Sequence, residues 1–233
     1  MKYLKDSVRN LLRRWVIRRK QYEFPSYAQE GEDMVLRRIF ESQSHGTFID
    51  IGAHHPLRFS STYYFYKQGW RGVSIEPNPL VQRDFEKLRP HDRILVCGVS
   101  SESNELNYFM FKEPAVNTFN PALASKRQSQ GFELMSSQAI PVYTLSQLFE
   151  NEFPSLANAD FLNLDCQGDE ISVLKSNNWN KYRPKHILVD HIPLQGKPMK
   201  KILESPIVSY LESVSYAVLY KTYTTLIFRD NNL

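Results

Sequence analysis

Cysteine and long apolar runs are the features that this sequence has least of. Its 233 residues include only two cysteines, Cys97 and Cys166, with neither a pairing pattern nor metal-ligand spacing. This favours a reducing compartment over a disulfide-stabilised secreted protein. No stretch reaches the roughly 18 apolar residues that would span a bilayer, and the charged N-terminus has no signal-peptide core. We therefore expect a cytoplasmic protein.

Positive charge is scarce outside the first twenty residues. Residues 1–20 contain eight lysines and arginines and one acid, Asp6, while the whole chain has a formal charge of +4. The remaining 213 residues therefore carry −3 and offer no basic field for a polyanion. We expect no nucleic-acid partner. Hydrophobic residues make up 42% and charged residues 23% of the chain, values that are ordinary for a globular protein.

The basic N-terminal segment has the pattern of an amphipathic helix. The apolar residues that recur at helical spacing are Leu4, Val8, Leu11, Leu12 and Trp15. Residues 3–20 therefore predict a helix with one apolar stripe and a cationic remainder. Such a helix would bind the inner membrane surface peripherally, or a partner protein, or else pack on the domain with its basic face in water. We place this helix at residues 1–22 and a separate domain at 23–233.

From Thr47 onward, short apolar runs alternate with helical stretches. The runs predicted as buried strands are 47–51, 72–76, 94–97, 161–165 and 186–190. The helices predicted between them are at roughly 60–68, 79–88 and 169–176. Strands that alternate with helices make right-handed crossovers and a parallel sheet. The sequence therefore predicts an α/β fold with a doubly wound, mostly parallel sheet.

Two segments depart from this alternation. Residues 101–143 are polar and contain several prolines, and we interpret them as an insertion at the carboxyl edge of the sheet, where substrate-recognising loops lie. Residues 216–220 and 224–228 are predicted as an antiparallel hairpin that closes the sheet.

The strongest chemical signal is the glycine turn after the first strand. The segment Phe48–His54 runs from an apolar strand through Asp50 into Gly52. A glycine turn lets a ligand approach the backbone at the switch point of a sheet. Because Ala53 and His54 follow Gly52, the G-x-G-x-x-G pattern that cradles a pyrophosphate is absent. A dinucleotide is therefore disfavoured, and a phosphate-free nucleoside such as S-adenosylmethionine fits the turn.

Two further acids follow buried strands. Glu76 ends the second strand 24 residues after Gly52, near the distance at which a doubly wound fold places an acid on the ribose hydroxyls. Asp165 follows a later strand and would reach the same edge, beside the transferred group, where it would orient the acceptor. Each acid could instead cap the following helix. For Asp169 and Glu170, capping is the preferred interpretation.

The chain resembles the FkbM family of S-adenosylmethionine-dependent methyltransferases from about Ser26 to His191. The motifs that carry the resemblance are Ser26–Asp33, Phe48–His54, Gly69–Pro79 and Asp160–Glu170. The resemblance implies a Rossmann-like class I methyltransferase that transfers a methyl group to oxygen, commonly on sugars of polysaccharides, glycolipids or antibiotics. The chain departs from the family at Asp190-His191, where a Glu is expected, so the role of that position stays open.

The resemblance also implies which residues contact the cofactor. They are Gln29, Asp33, Asp50, Gly52, Ala53, Glu76, Asn78 and Asp165. The residues of the glycine turn would face the methionine part, and Glu76 and Asn78 the ribose and adenine. Asp165 would lie at the methyl-transfer centre, and the Gln29–Asp33 segment over the cofactor.

Methyl transfer to an alcohol needs alignment and removal of the hydroxyl proton. His191, at the end of the fifth strand, and His54, after the glycine turn, are candidates for the base. His55 is a rival, and each histidine could instead be structural or orient the substrate. With Asp165, the predicted catalytic residues are thus His191 and His54. A divalent cation could polarise the acceptor instead, but the sequence has no recognisable metal cluster, and we assign no metal ligand.

The acceptor is the least constrained part of the prediction. Phe109, Phe111 and Phe119 in the insertion are placed to meet it, whereas most rings of the Tyr63–Tyr66 run are expected in the core. We expect an O-methyltransferase that acts on a sugar hydroxyl of a glycan or glycan precursor. Two alternatives remain open. One is a non-catalytic cofactor-binding module in a carbohydrate-assembly complex, and the other is a NAD-dependent oxidoreductase, which fits the fold but lacks the glycine fingerprint.

Overall fold

The structure is a computed structural model, and it describes residues 23–191 and 196–233. These residues form two β-sheets and eight α-helices. The strands are β1 (Thr47–Ile51), β2 (Arg71–Ile75), β3 (Arg93–Leu95), β4 (Gly98–Val99), β5 (Asn104–Phe111), β6 (Leu134–Tyr143), β7 (Phe161–Leu164), β8 (His186–Asp190), β9 (Tyr216–Lys221) and β10 (Thr225–Asp230). The helices are α1 (Glu32–Ile39), α2 (Tyr63–Lys67), α3 (Gln82–Leu88), α4 (Pro121–Ser129), α5 (Leu145–Asn151), α6 (Glu170–Lys175), α7 (Met199–Leu203) and α8 (Pro206–Ser213). The helix predicted at residues 3–20 lies outside the described residues.

The larger sheet has seven strands in the order β3-β2-β1-β7-β8-β10-β9. Strands β3, β2, β1, β7 and β8 are parallel to one another, whereas β10 is antiparallel to both β8 and β9. This is the predicted α/β architecture, a mostly parallel sheet that ends in an antiparallel hairpin. The chain leaves the β1-β2-β3 half and returns to the other side of β1, so the switch point of the sheet lies between β1 and β7.

The central strands are buried on both faces, as parallel strands covered by helices must be. Phe48 on β1 pairs with Phe161 on β7, and both pack with α1 and α2 on one face. Their neighbours Ile49 and Leu162 point to the opposite face and pack in the main core with α5, α6 and α8. The two-residue period of a strand therefore divides one apolar run between two cores.

The predicted helices exist but are shorter than the sequence pattern indicates. The helix predicted at 60–68 is α2, which begins at Tyr63, and Gly69 follows its end at a φ of 93°. The helix predicted at 79–88 begins as a 3₁₀ turn, Pro79–Val81, and continues as α3. Among the described residues, no helix has the length and apolar character needed to cross a membrane.

The predicted insertion supplies two of the three strands of a second, smaller sheet, and β4 comes just before it. Its strand order is β4-β6-β5, and β5 and β6 form a long antiparallel hairpin from which α4 projects. Tyr108, Met110 and Ile140 make a separate small core, against which Phe119 packs. This core gives the insertion a fixed shape beside the carboxyl edge of the larger sheet.

Candidate active site

A cavity of about 400 Å³ lies at the carboxyl edge of the sheet. Its wall includes Asp50 from β1, Glu76 directly after β2, Asp165 directly after β7 and Asp190 from β8. Parallel strands present their carboxyl ends on one edge, which is where ligands bind in doubly wound sheets. The structure thus brings together acids that are far apart in the sequence.

Gly52 is required by the packing of the sheet itself. It has a φ of 77°, and a Cβ at this position would lie 1.8 Å from the carbonyl oxygen of Asp165. Its N–H donates to the Ile75 carbonyl at 2.9 Å. The glycine turn therefore does more than let a ligand approach the backbone, because it also lets β1 and the chain after β7 come together.

A buried network holds the Asp50 carboxylate in the cavity wall. Thr62 Oγ1 donates to Asp50 Oδ2 at 2.7 Å, and Asn163 Nδ2 donates to Asp50 Oδ1 at 2.9 Å. Thr62 Oγ1 accepts in turn from Arg89 Nη1 at 2.9 Å, and Arg89 forms a buried ion pair with Asp92 at 2.6 Å. A buried carboxylate is costly unless donors satisfy it. These contacts therefore fix the orientation of Asp50.

Glu76 is buried and has donors on both carboxylate oxygens. Its Oε2 accepts from the His54 N–H at 2.8 Å. Its Oε1 accepts from the Asn78 N–H at 2.9 Å and from the Tyr108 hydroxyl at 3.3 Å. Burial raises the pKa of Glu76, and the N–H groups of Asn78 and His54 act in the opposite direction. The glycine turn, β2 and the insertion therefore hold one carboxylate in one position.

Three carboxylates crowd around the ends of β7 and β8. Burial, followed by the charges of Asp190 and Glu170, raises the pKa of Asp165. Burial also raises the pKa of Asp190, although a hydrogen bond with Thr224 opposes this. Asp190 Oδ1 is buried and has no hydrogen-bond partner among the described residues. This region therefore binds protons more readily than exposed carboxylates do, and it offers an unused acceptor to a ligand.

His54 lies in the cavity wall in a strained conformation. Its φ is 53°, and its ring is stacked with Phe59 at 6.1 Å between centroids. Burial, followed by the charges of Arg58 and His55, lowers the pKa of His54 to about 4. The imidazole is therefore neutral near neutral pH, and its Nε2 is buried without a partner among the described residues.

The other two candidate histidines have structural contacts. His191 Nδ1 lies 3.3 Å from Glu170 Oε2, and His191 is not part of the described cavity wall. His55 Nδ1 accepts from the Leu57 and Arg58 N–H groups at 3.0 Å. Of the predicted bases, only His54 therefore lines the cavity, and the role of His191 stays a prediction.

The remaining predicted cofactor residues divide into two groups. Gln29 and Ala53 line the cavity. Asp33 is buried outside the described wall and accepts from the Tyr27 N–H at 2.6 Å, so that its carboxylate fixes the turn before α1. Asn78 also lies outside the described wall, and its side chain caps the following 3₁₀ helix. Asp33 and Asn78 therefore stabilise the segments next to the cavity and do not line it themselves.

Several wall residues were not predicted from the sequence. From the insertion, Tyr108 and Asn117 join the predicted Phe119 in the wall, whereas Phe109 and Phe111 do not line it. Glu32 from α1 also lines the cavity and accepts from Thr225 Oγ1 at 3.1 Å, across 193 positions of the chain. Contacts of this range leave no local pattern, so the sequence carried no signal for Tyr108 or Asn117, and for Glu32 only its place in the Gln29–Asp33 segment that the resemblance puts over the cofactor.

The cavity wall is strongly acidic. Its carboxylates are Glu32, Asp50, Glu76, Asp165, Asp169 and Asp190. None of the described wall residues is a lysine or an arginine. Among the described residues, in the cavity wall or outside it, no group of three or more His, Cys, Asp or Glu side chains is arranged to hold a metal ion. The carboxylates of this wall that are ionised attract cationic ligands and repel phosphates, and the wall has no cation among its described residues to offset them.

Both cysteines line the cavity as unreactive thiols. Burial raises the pKa of Cys97 to about 12 and that of Cys166 well above its usual value. Because the thiolate is the reactive form, we expect no iodoacetamide adduct on the folded protein at about pH 8. Intact-protein mass spectrometry should detect adducts on both thiols only after unfolding in guanidinium chloride. Rapid alkylation of the folded protein would show that the pKa of at least one of these thiols is not raised.

Comparisons with known proteins give one family match. The model of the FkbM methyltransferase domain matches residues 50–212, more than half of the chain. Among solved structures, the chain is similar to 1,6-didemethyltoxoflavin-N1-methyltransferase from Burkholderia thailandensis, determined with S-adenosylhomocysteine, at 11% identity and a TM-score of 0.45. That alignment covers 87% of this chain and 79% of the other. A TehB-like SAM-dependent methyltransferase from Corynebacterium glutamicum aligns at 12% identity and a TM-score of 0.43, over 97% and 99% of the two chains. No curated protein matches the sequence.

Proposed function

Because the chain belongs to the FkbM methyltransferase family and is an S-adenosylmethionine-dependent methyltransferase, we propose that it methylates a sugar hydroxyl of a glycan or glycan precursor. The observation that carries the proposal is the acidic cavity wall, which contains no lysine or arginine among its described residues. A cationic cofactor and an uncharged, hydroxyl-rich acceptor both suit this wall. Nucleic acids and phosphorylated acceptors do not.

The residues of the cavity fit S-adenosylmethionine. The buried Glu76 carboxylate, fixed by two N–H donors, would accept hydrogen bonds from the ribose hydroxyls. Asp50, Gly52 and Ala53 would hold the methionine part at the switch point of the sheet. When bound, the cofactor supplies an electrophilic methyl group on a positively charged sulfur, and the acidic wall favours that charge. NAD would instead need a phosphate-binding turn, which this chain lacks.

The acid pair at the ends of β7 and β8 supports a hydroxyl-bearing acceptor. Asp190 Oδ1 is buried without a hydrogen-bond donor among the described residues, and a sugar hydroxyl can supply one. Asp165 lies in the same wall. Two carboxylates that accept from neighbouring hydroxyls would orient a sugar ring, whereas a uronic acid or a sugar phosphate would meet like charge.

Proton removal is assigned to Asp165. Its carboxylate would accept the hydroxyl proton of the acceptor as the acceptor oxygen takes up the methyl group. Burial and the neighbouring acids raise the pKa of Asp165 toward the working pH, which is the property that an efficient general base needs. His54 is a weaker base because its pKa is lowered to about 4, and it would instead accept a hydrogen bond from the substrate at Nε2.

The proposal is tested by calorimetry followed by an acceptor screen. Isothermal titration should give micromolar binding of S-adenosylmethionine and S-adenosylhomocysteine, and no binding of NAD. Release of S-adenosylhomocysteine is then measured with methyl glycosides of neutral hexoses and with the matched uronic acids and sugar phosphates. We expect turnover of neutral glycosides at least about tenfold faster than of the anionic partners, since like charge in a buried site costs more than about 1.4 kcal/mol.

Two results would contradict the proposal. Equal turnover of neutral and anionic sugars would remove the electrostatic argument for a neutral acceptor. Tight cofactor binding without turnover of any sugar would favour the non-catalytic module that serves a carbohydrate-assembly complex. The oxidoreductase alternative does not apply, because the family match assigns the chain to the methyltransferases.

A further inference from the structure

A chain of hydrogen bonds joins the insertion to the acid that follows β7. Arg127, on α4, donates from Nη2 to Gln167 Oε1 at 2.7 Å. Gln167 donates from Nε2 to Asp165 Oδ1 at 2.9 Å. Arg127 and Gln167 are 40 positions apart in the chain. The two hydrogen bonds therefore connect α4, which lies between β5 and β6 in the chain, to the carboxyl edge of the larger sheet.

The direction of both hydrogen bonds follows from the chemistry of the groups. A guanidinium carries only donors, so Gln167 must turn its amide oxygen toward Arg127. The NH₂ of the same amide is then fixed toward Asp165, where a carboxylate oxygen can accept from it. Arg127 thereby determines which end of the Gln167 amide faces the acid, and this leaves Asp165 Oδ2 outside the bond.

Burial of the Arg127 guanidinium has a cost in free energy that a surface arginine does not have. Its residue is only 6% exposed, and its other described hydrogen bonds go to the main-chain oxygens of Val116 at 2.5 Å and Asn117 at 3.4 Å. Burial lowers the pKa of Arg127, and the negative charge of Asp165 opposes this. A buried cation directed at neutral oxygens is expensive, and its compensation here comes in part from the nearby acid.

We propose that Arg127 and Gln167 are positioning residues that hold the Asp165 carboxylate in one orientation toward the methyl acceptor. The proposal rests on the proposed role of Asp165 in methyl transfer. Gln167 has a φ of 52°, in a region that few non-glycine residues adopt. Such strain persists where surrounding contacts determine it, commonly at functional sites. The bond from Arg127 is a contact of this kind.

The contribution of these two hydrogen bonds is measurable through the pKa of Asp165, because charged groups surround this carboxylate. The titratable groups that act on Asp165 or are acted on by it are Asp190 on β8, Glu170 on α6, Tyr108 on β5, Arg127 on α4 and the adjacent Cys166. Burial, Asp190 and Glu170 raise the pKa of Asp165, and the Gln167 donor lowers it. Loss of the donor or of the cation should therefore raise that pKa further.

The test is a carboxyl ¹³C NMR titration of protein labelled at the aspartate side chains, with the Asp165 signal assigned by Asp165→Asn. In Gln167→Met, which keeps the side-chain length but has no donor, we expect the Asp165 midpoint to rise by about one pH unit. Arg127→Met should shift it in the same direction. Lys126→Gln is the matched control, because it removes an exposed cation from the neighbouring position of α4 and should leave the midpoint unchanged.

Gln167→Glu keeps the test decisive if the methionine variants do not fold. Its carboxylate can pair with Arg127, which supports folding, but it replaces a donor to Asp165 by a negative charge. The Asp165 midpoint should then rise by more than in Gln167→Met. An unchanged midpoint in a folded Gln167 variant, judged by near-UV circular dichroism, would overturn the proposal. The titration needs no acceptor, so a failed acceptor screen would leave this result independent.

Turnover separates a positioning role from a structural one. With an accepted sugar, Gln167→Met should lower kcat about tenfold while the Kd for S-adenosylmethionine changes by less than about twofold. The midpoint of the pH profile of kcat should move upward with the NMR midpoint. Equal losses in cofactor affinity and kcat, with no movement of the pH profile, would indicate that Gln167 only supports the fold.

Discussion

Replacing Gly52 with alanine is expected to lower the free energy of unfolding by at least about 3 kcal/mol and to abolish binding of S-adenosylmethionine. The new Cβ would lie 1.8 Å from the carbonyl oxygen of Asp165, which is main chain and cannot turn aside. Relief requires β1 and the segment after β7 to separate, and both line the cavity. Urea denaturation and isothermal titration measure the two losses.

Gly69→Ala is the matched control for this substitution. Gly69 also has a positive φ, 93°, but a Cβ there would meet nothing within 4 Å. Its cost should therefore be the backbone term alone, about 1–2 kcal/mol, with cofactor binding retained. If Gly52→Ala were no more destabilising than Gly69→Ala, the close approach between the glycine turn and Asp165 would not exist in the folded protein.

Replacing Glu76 with alanine is expected to weaken binding of S-adenosylmethionine by on the order of 100-fold or more. A hydrogen bond to a charged group contributes about 1.5–3 kcal/mol, and Glu76 would make two of them to the ribose, which converts to at least that factor. The substitution also removes the acceptor for the His54 and Asn78 N–H groups. The His54 N–H belongs to the glycine turn and the Asn78 N–H to the segment after β2, so both segments would lose a contact that holds them.

Isothermal titration of Glu76→Ala, with Glu86→Ala beside it, measures this loss. Glu86 is exposed on α3, so its removal changes the net charge equally without touching the cavity and should leave the Kd unchanged. Thermal melting of both variants shows whether the fold survives. Unchanged affinity in a folded Glu76→Ala protein would assign the ribose to another group and would remove Glu76 from the cofactor site.

The two substitutions act on different parts of one arrangement. Gly52 determines how closely two strands meet, and Glu76 determines what the resulting edge can bind. The N–H of His54, two positions after Gly52, donates to Glu76, so the glycine turn also orients the acid. We therefore expect Gly52→Ala and Glu76→Ala to be non-additive in the free energy of unfolding, as residues in one hydrogen-bonded unit are.

The central sheet and its reactive edge were accessible from the sequence. The apolar run 47–51 coincides with β1, and each of the other predicted strands lies within about two residues of an observed one. Once these strands are parallel, their carboxyl ends must share one edge, so Asp50, Glu76, Asp165 and Asp190 had to lie near one another. Periodicity and connectivity are local properties, and a single sequence expresses them directly.

The direction of individual side chains was less accessible. His191 follows Asp190, and because successive residues of an extended chain point to opposite sides, the cavity received Asp190 while His191 lies against Glu170. Asp33 and Glu32 show a similar effect on a helix, where successive residues are about 100° apart. Glu32 lines the cavity, whereas Asp33 is buried away from it and accepts from the Tyr27 N–H. The motif segments were therefore informative, although individual positions within them differ in role.

What the sequence determined by itself is the order of strands and helices, the glycine turn and the line of acids at strand ends, since each depends on residues close together in the chain. Only the tertiary structure decided which side chains close the cavity. Tyr108 reaches Glu76 from the insertion, and the bond from Arg127 reaches Asp165 through Gln167. These contacts depend on how a second sheet packs against the first, and packing is a property of surfaces that no local pattern records.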